Sequence, residues 1–560
     1  MKVKKFLICC LISICSFSFG QNLSLPQYPK WQTVVPGSLI CSPKYTSYGL
    51  VALLDGRQVV AITENGVTYW DQSLKRRPEP FLVVSPEDFI YIVTNKNTLI
   101  QCNPSGMLLW EKQHSQKITK EPLLGWDGRV FVAGETTLAS YDIHGKRKWE
   151  LSLEESNSLP LFTLNDGSLL YFCKREVNGS SVGLRISPFG EILEEIVFAG
   201  KILSCKEIAS GLLLVFQGGD LGCYSVEKEE SKSLWVLKNP FASEITTICC
   251  KHNLVYCFYQ NGALTVFDLT NQQIKWSKIF SEFSYCRLTP SFVKHGLVVL
   301  CQSQIYGLDT LGKILYTYDV QNDGKINTFY FTPREQLLKF SADWTLSAYS
   351  LSQGVFSSER SIQQEKVKNY NFKRNTKTFT GSQKDFSLLI KNGDYGLYEK
   401  NAYTAIAKTF YDIQYYNYTK RQQLTHVSSV RDYQKINNGY FLIENLGSTA
   451  FNSDIASIIR TEDDNTVLLG ALQTVKTIGY DVTGELLATL EARLPSLKKH
   501  ELSLYFALCD GVVSICRCMG KPAIFTKGKE ILTQLMYPQY SSKIRNYAVT
   551  CLKKIADFEK

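Results

Sequence analysis

Long apolar runs are nearly absent from this sequence, and the one clear example lies at its start. The run Phe6–Phe19 follows the basic start Met1–Lys5 and precedes Gly20. A basic stretch, a short apolar run and small residues before the cut are typical of a secretory signal, so we expect residues 1–20 to be removed before Gln21. An uncleaved anchor is the alternative, although fourteen residues are few for crossing a bilayer. We expect no other membrane span, no lipid anchor, and a periplasmic or other extracytoplasmic location.

Clustered positive charge is also lacking. The formal net charge is +10, and it falls to +7 when the three lysines of the signal segment are removed. The charges are spread along the chain, whereas a nucleic-acid-binding protein needs a basic face. We therefore expect no nucleic-acid partner, while the positive balance permits peripheral contact with an anionic membrane surface.

The residue patterns of common catalytic and metal centres are missing as well. The six histidines include no His-x-x-x-His pair, and Cys-x-x-Cys-His, Gly-x-Ser-x-Gly and phosphate-binding loops do not occur. Cys509, Cys516 and Cys518 cluster near His500, but zinc sites favour two closely spaced ligand pairs. We interpret these cysteines as core thiols, with zinc as the alternative. No catalytic, cofactor-binding or metal-binding residue is assigned.

The 17 cysteines do not show the spacing of a disulfide framework. Three fall in the signal segment, and export would permit the other fourteen to form disulfides. Several stand in strand-like runs where Val or Ile would serve, and buried cysteine behaves as a small apolar side chain. We expect buried thiols at Cys102, Cys173, Cys223, Cys257 and Cys301.

A repeat of about forty residues is what the sequence has in abundance. Each unit contains an apolar run, an Asp or Asn, a turn with Gly or Asn, and then a large apolar residue, as in CNPSGMLLW and YDIHGKRKW. The large apolar residue that ends each unit is its repeat mark, and consecutive repeat marks are 39–44 residues apart. The repeat marks are Trp31, Trp70, Trp110, Trp149, Leu193, Trp235, Trp276, Tyr316 and Phe356. Such a period, with several short strands in each unit, predicts the blades of a β-propeller.

We predict eight blades over residues 21–400, with seven as the alternative because the unit at 325–400 is irregular. Trp31 is expected in an outer strand that completes the last blade and covers its sheet edge. The other tryptophans are expected to fill the wedges between adjacent blades, each indole N–H donating to a neighbouring backbone carbonyl.

The pattern Asp-x-x-Gly-x-x-x-Trp at this period resembles the PQQ-type repeat, over residues 31 to about 380. That repeat occurs in quinoprotein dehydrogenases and in the non-enzymatic outer-membrane assembly protein BamB. The resemblance implies a β-propeller in either branch, and a shared fold does not decide the activity.

The enzymatic branch implies a quinone in the propeller funnel, a calcium ion and, in many members, a vicinal disulfide under the cofactor. Cys249 and Cys250 are a vicinal pair, and the alternative interpretation is two neighbouring strand residues. The family's N-terminal signature has no counterpart in SLICSPKYTSYGLVALL, and the connections between strands are too short to enclose a cofactor. We therefore expect no cofactor, with a PQQ-dependent dehydrogenase as the alternative.

Apolar spacing changes from alternating to helical after about residue 400. In 461–481 apolar residues recur at intervals of three and four, acidic residues come first, and Gly479 provides a C-terminal stop. We expect further helices in TGELLATLEARLP, ELSLYFALCDGVVSICRCMG, GKEILTQLMYP and SSKIRNYAVTCLKKIADF. Two of the helices resemble HEAT-type repeats, whose helix pairs stack into a solenoid; a small helical bundle is the alternative. The helical domain is predicted over 451–560, after a connecting segment over 401–450.

These patterns favour a non-enzymatic, extracytoplasmic scaffold. A propeller can bind a protein segment through its loops or by strand addition, and the helices offer a second surface. The resemblance to BamB implies envelope proteins as partners.

Overall fold

The structure, a computed structural model, describes residues 21–24, 29–350, 395–421 and 432–559. Short gaps within these ranges fall at 126, 165–166, 209–210, 227–230, 242, 252, 287, 294–295, 302–303, 320–326, 333–335 and 499. The described residues form an eight-bladed β-propeller followed by eight helices. The predicted eight blades and helical C-terminal region are therefore confirmed. The predicted signal at 1–20 and the last repeat mark, Phe356, lie outside the described residues.

Two strands precede the first blade, and both pair with blades from the end of the propeller. They are β1 (Gln21–Ser24) and β2 (Trp31–Val34). Blades 1–5 follow, each a four-stranded sheet of consecutive antiparallel strands. Their strands are β3 (Lys44–Thr46), β4 (Gly49–Leu54), β5 (Gln58–Thr63), β6 (Thr68–Ser73), β7 (Pro78–Val84), β8 (Ile90–Thr94), β9 (Thr98–Cys102), β10 (Leu108–Gln113), β11 (Leu123–Leu124), β12 (Val130–Ala133), β13 (Thr137–Tyr141), β14 (Arg147–Ser152), β15 (Phe162–Thr163), β16 (Leu169–Val177), β17 (Ser180–Ile186), β18 (Ile192–Val197), β19 (Ile202–Ile208), β20 (Gly211–Phe216), β21 (Leu221–Val226) and β22 (Ser231–Leu237).

Blades 6–8 complete the propeller. Their strands are β23 (Ile245–Lys251), β24 (Leu254–Tyr259), β25 (Ala263–Asp268), β26 (Gln273–Ile279), β27 (Leu288–Val293), β28 (Gly296–Cys301), β29 (Gln304–Leu308), β30 (Ile314–Asp319), β31 (Asn327–Phe331), β32 (Gln336–Ser341) and β33 (Thr345–Ser350). A short 3-10 helix, Ser281–Phe283, precedes β27. Blade 8 has the order β2-β33-β32-β31, so Trp31 lies in its outermost strand, as predicted. In blade 7, β1 adds as a fifth strand outside β30.

Several middle strands of the blades are buried along their whole length. Every residue of β4, β8, β9, β12 and β13 is buried. Such strands are covered on both faces, so their sequences are mainly apolar and do not alternate, although β9 and β13 include buried polar residues. The five predicted strand thiols, Cys102 to Cys301, are buried as expected.

The repeat's tryptophans close the wedge between one blade and the next. In four such pairs the indole N–H donates to a backbone carbonyl beside the next blade's turn glycine, and the ring packs on that glycine. A Cβ atom on any of the four glycines would come within 2.5–2.8 Å of the ring. The bonds join Trp70 to Pro104 (3.0 Å), Trp110 to Ile143 (2.9 Å), Trp149 to Pro188 (3.0 Å) and Trp276 to Thr310 (2.9 Å). The predicted structural role of these four tryptophans is confirmed.

The helices stack in two rows. They are α1 (Tyr395–Arg421), α2 (Tyr433–Leu446), α3 (Asn452–Thr461), α4 (Asn465–Ile478), α5 (Glu485–Arg493), α6 (Leu502–Met519), α7 (Pro522–Gln534) and α8 (Ser542–Phe558), with a 3-10 turn at Leu494–Ser496. One row is formed by α2, α4, α6 and α8, and the other by α1, α3, α5 and α7. Packing of alternate helices is the arrangement of a helical solenoid.

The solenoid begins earlier than the sequence suggests. Residues 401–450, expected to be a connecting segment, contain most of α1 and all of α2. The Tyr-rich stretch YDIQYYNY hides the helical period of α1, because its closely spaced tyrosines do not all follow intervals of three and four. By length and composition, α6 could cross a membrane. Ten of its residues are buried against neighbouring parts of the protein, which is typical of the core helix of a folded domain.

The chain divides into two compact units. One contains residues 1–32 and 239–360, and the other contains residues 33–238 and 361–560. The second unit thus combines blades 1–5 with the helices. Its largest apolar cluster includes strand residues of blades 2 and 3 together with residues of all eight helices, which makes the solenoid part of the same core as those blades.

Candidate functional site

Three helices of one solenoid row end against blades 2 and 3 in the same way. α2, α4 and α6 each stop at a glycine with left-handed backbone: Gly447 (φ 58°), Gly479 (φ 66°) and Gly520 (φ 56°). This is the usual glycine stop of a helix, and Gly479 was predicted to have it. The chain then turns towards the propeller, and the next residue in each case binds a blade. These residues are Ser448, Tyr480 and Lys521.

Tyr480 makes the most deeply buried of these contacts. Its hydroxyl oxygen lies 2.9 Å from Gln101 Oε1 and 2.7 Å from the carbonyl oxygen of Ile143, and these two acceptors share its one proton. Gln101 in turn donates to the hydroxyl of Tyr91 at 2.7 Å. The Tyr480 ring also packs on Phe89 with 4.9 Å between centroids. Burial raises the pKa of Tyr480 well above its usual value, so the hydroxyl keeps its proton.

Charged groups complete the contact at the first and the last of these three helices, α2 and α6. Lys521 Nζ lies 2.8 Å from Asp88 Oδ2, and Asp88 is buried. At α2, the buried Lys148 lies 3.2 Å from Asp142 Oδ2 and donates to the carbonyl of Asn445. A cation at a helix C-terminus is favoured because the last carbonyls carry partial negative charge.

Asp127 joins blade 3 to two helical elements. Its Oδ2 accepts from Arg129 Nε at 2.8 Å and from the Tyr403 hydroxyl at 2.9 Å. Ser448 Oγ lies 3.5 Å away. Arg129 continues to the carbonyl of Pro188 in blade 4 at 2.8 Å. The helices are therefore held to blade 3 by hydrogen bonds to a buried carboxylate group as well as by apolar packing. Sequence reasoning missed this surface, because its members are separated by hundreds of residues.

The residues considered for zinc do not come together as a metal site. Cys509 is buried and its thiol hydrogen-bonds to Cys551, while Cys516 donates to the carbonyl of Ile524 at 3.6 Å. His500 lies at the surface, with Nε2 3.6 Å from Glu501 Oε1. Within the part of the chain that the structure describes, no three His, Cys, Asp or Glu side chains are grouped so as to hold a metal ion.

Cys249 and Cys250 lie near the end of β23, the first strand of blade 6. They face Tyr256 and Val255 of β24 across the ladder. Both are half-buried thiols, and Cys249 packs against the apolar cluster between blades 6 and 7. This is the place that two ordinary strand residues would occupy.

The outer strand of blade 4 offers an open apolar surface. Ile192, Leu193 and Val197 of β18 are 51%, 49% and 52% exposed. On its inner side β18 pairs with β17, and no strand among the described residues pairs with its outer edge. The carboxylates of Glu194 and Glu195 turn to arginines of the same blade. We refer to β18 and its three exposed apolar residues as the β18 edge.

In blade 7 the outer edge of the sheet is paired with an additional strand. There β1 lies parallel to the outer strand β30, with Gln21 opposite Tyr316 and Ser24 opposite Asp319. An extended segment from outside the blade thus pairs with its outermost strand. Exposed strand edges are general sites for this kind of pairing.

Comparison with known proteins gives a match for the first blades. Residues 55–181 match the family described as outer membrane protein assembly factor BamB. The matched segment runs from blade 1 into blade 4. No curated protein sequence matches the chain.

Three of the solved structures that are similar to this chain match more than half of its length. BamB from Moraxella catarrhalis is 14% identical, with a TM-score of 0.44, and covers 57% of this chain and 98% of its own. The C-terminal WD40 domain of Sif2 is 11% identical, with a TM-score of 0.47, and the match covers 60% of this chain and 99% of that domain. The computationally designed Ika8 protein is 15% identical, with a TM-score of 0.45, and the match covers 59% of this chain and 100% of that protein.

Proposed function

We propose that this protein is a non-enzymatic, extracytoplasmic scaffold that binds extended segments of other proteins, with envelope proteins as its partners. The match of blades 1–4 to an outer-membrane assembly factor supports the assembly role. The β18 edge is the observation that carries the proposal, because it combines an unpaired strand edge with half-exposed apolar side chains. The signal-like start of the sequence supports export.

The occupant of the β18 edge is an extended, largely uncharged segment with apolar residues at alternate positions. Backbone groups on the open side of β18 supply hydrogen bonds to any extended chain, and side-chain contacts select among chains. Glu194 is 3.7 Å from Arg185, and Glu195 is 2.8 Å from Arg175. The acidic groups of β18 are thus engaged within the blade, which favours an apolar partner over a basic one. The attachment of β1 to β30 supports this mode of binding.

Site-specific photo-crosslinking tests this proposal. A photoreactive phenylalanine analogue replaces Val197 on the β18 edge, and a matched variant carries it at Val177, an exposed valine at the hairpin tip of the same blade. In cells that export the protein, we expect Val197 to crosslink to defined envelope proteins and Val177 to give little product. Val197→Asp should reduce crosslinking from a third position, Leu193, severalfold. Equal labelling at Val197 and Val177 would contradict the proposal.

The alternative, a quinone-dependent dehydrogenase, is tested separately. The purified mature chain is titrated with the quinone and calcium by calorimetry, and its visible spectrum is recorded. We expect no heat of binding, no new absorbance and no calcium-dependent rise in melting temperature, since a bound ligand stabilises the folded state. Stoichiometric binding would overturn the non-enzymatic assignment and make Cys249 and Cys250 active-site candidates.

A further inference from the structure

One cysteine in a strand of blade 7 and another in the loop that leads into this blade lie close together at one end of its sheet. Cys301 is the last residue of β28, and Cys286 lies two residues before the start of β27. Leu288, the first residue of β27, is paired with Cys301 across the ladder. The antiparallel register therefore brings Cys286 next to Cys301, although fifteen positions separate them in the sequence.

The two thiols share one acceptor. The Cys301 thiol donates to the carbonyl of Glu282 at 3.1 Å, and the Cys286 sulfur lies 3.5 Å from the same carbonyl oxygen and 3.2 Å from the carbonyl oxygen of Ser284. The two side chains also hydrogen-bond to each other. Thiols that are close enough to hydrogen-bond to each other can be joined as a disulfide where their Cβ atoms come to about 3.5–4.5 Å from each other.

The two cysteines differ in their access to solvent. Cys301 is 4% exposed, and burial raises its pKa to about 12. Cys286 is half-buried and lines a cavity of about 320 Å³, together with Thr246, Gln260 and the 81% exposed Tyr285. A reagent that enters this cavity reaches Cys286 first, with Cys301 behind it. This arrangement is typical of an attacking thiol with a resolving partner.

We infer that Cys286 and Cys301 are a redox-active pair that forms a disulfide by exchange with an external disulfide. The Cys286 thiolate attacks one sulfur of that disulfide, forming a mixed disulfide and releasing one thiolate. The Cys301 thiol gives up its proton as its sulfur attacks the Cys286 sulfur, which forms the Cys286–Cys301 disulfide and releases the second thiolate. The protein loses two protons, the two released thiolates take them up, and the external disulfide is reduced to two thiols. The chemistry does not depend on the proposed binding function, although export would supply the oxidising environment.

The helical region contains a natural comparison. Cys509 and Cys551 also hydrogen-bond to each other, between α6 and α8, but both are fully buried in the solenoid core. An external disulfide has no route to either sulfur while the helices are folded. Because these two thiols are close together but closed to solvent, we expect no disulfide between them. The pair therefore distinguishes the effect of closeness from the effect of solvent access.

The experiment uses the purified mature chain, reduced and then incubated with glutathione disulfide under native conditions. Remaining thiols are alkylated, and the digested protein is mapped by mass spectrometry without reduction. We expect a peptide pair joined through Cys286 and Cys301, with Cys509 and Cys551 alkylated only after denaturation. Cys301→Ser should accumulate glutathione on Cys286, whereas Cys286→Ser should leave Cys301 unmodified.

Three outcomes would overturn the inference. The first is that Cys286 and Cys301 remain alkylatable thiols while glutathione disulfide oxidises other sites. The second is that Cys249 and Cys250 form the first disulfide. The third is that Cys301→Ser and Cys286→Ser react alike. Cys102→Ser, which removes a buried strand thiol away from the pair, controls for general loosening of the fold. The mapping of the unsubstituted protein remains decisive if a variant fails to fold.

Discussion

Replacing Tyr480 with phenylalanine tests whether the solenoid and blades 2 and 3 form one folding unit. The change removes only a hydroxyl, whose one proton is shared between Gln101 Oε1 and the Ile143 carbonyl. The Ile143 carbonyl keeps its bond from the Trp110 indole, whereas Gln101 Oε1 loses a donor inside the core. A buried acceptor left without its donor costs about 1–3 kcal/mol. Since the unfolding slope in urea is about 3 kcal/mol per molar for a large unit, the midpoint should fall by about 0.3–1 M.

Urea unfolding of the mature chain is followed by tryptophan fluorescence, which reports on the blades, and by far-ultraviolet circular dichroism, which reports mainly on the helices. Because the two share a core, both signals should shift together in Tyr480→Phe. Tyr537→Phe is the matched control, since that side chain is exposed and should change stability by less than about 0.5 kcal/mol. The reasoning is refuted if the two variants unfold at the same urea concentration. Loss of the helical signal alone would refute the shared core.

Three further predictions concern single features. Gly145→Ala should lower the free energy of unfolding, measured in urea titrations, by about 1–3 kcal/mol more than Gly179→Ala. Both glycines have positive φ. A Cβ atom at position 145 would lie 2.5 Å from the Trp110 ring, whereas a Cβ atom at position 179 would meet nothing within 4 Å. Burial lowers the pKa of His114 below 6.5, so the folded state binds fewer protons than the unfolded state. The stability that neutral His114 contributes is therefore complete above pH 6.5 and is lost as the pH falls below that value. The gap in urea midpoint between the unsubstituted protein and His114→Gln should therefore narrow between about pH 7.5 and about pH 5; a constant gap would contradict this. A chain that lacks residues 21–28 should bind a synthetic peptide of those residues in a fluorescence anisotropy titration, and a peptide with Leu23→Pro should not bind, because proline cannot donate to a strand ladder.

The sequence revealed the propeller because its determinants are local and repeated. A turn glycine and a tryptophan four residues later recur in each full copy of the motif, and the same spacing places each ring on the next blade's glycine. Helix ends in the solenoid were also predictable where a glycine stop was present, as at Gly479. The first helix, α1, was missed, because its aromatic residues obscure the apolar period.

The contacts that define the candidate surfaces were beyond sequence reasoning. Tyr480 and Gln101 are 379 residues apart, and neither belongs to a motif. The pairing of Cys286 with Cys301 depends on the register of β27 against β28, which a run of cysteines and apolar residues does not specify. The β18 edge depends on which strand is outermost and on what covers it, and only the arrangement of the blades decides both.

A turn residue of the repeat contributes to the attachment of the solenoid at blade 2. In blade 2, Asn103 uses Oδ1 to accept from the turn amides of Ser105 and Met107, which leaves its Nδ2 to donate to the carbonyl of Arg517 at the end of α6, at 2.8 Å. The equivalent residue in blade 4 is Ser187, and its single side-chain oxygen accepts from the turn amides of Phe189 and Glu191.

Asn103→Ser should therefore preserve the turn and lose the bond to the helix, at a cost of about 0.5–1.5 kcal/mol. Asp309→Ser is the matched control, because Asp309 holds the equivalent turn of blade 7 through Oδ1, which a serine oxygen can replace. Urea midpoints of the two variants measure the difference. If Asp309→Ser were destabilised as much as Asn103→Ser, the turn itself would account for the loss, and the second polar atom of Asn103 would have no part in attaching the helices.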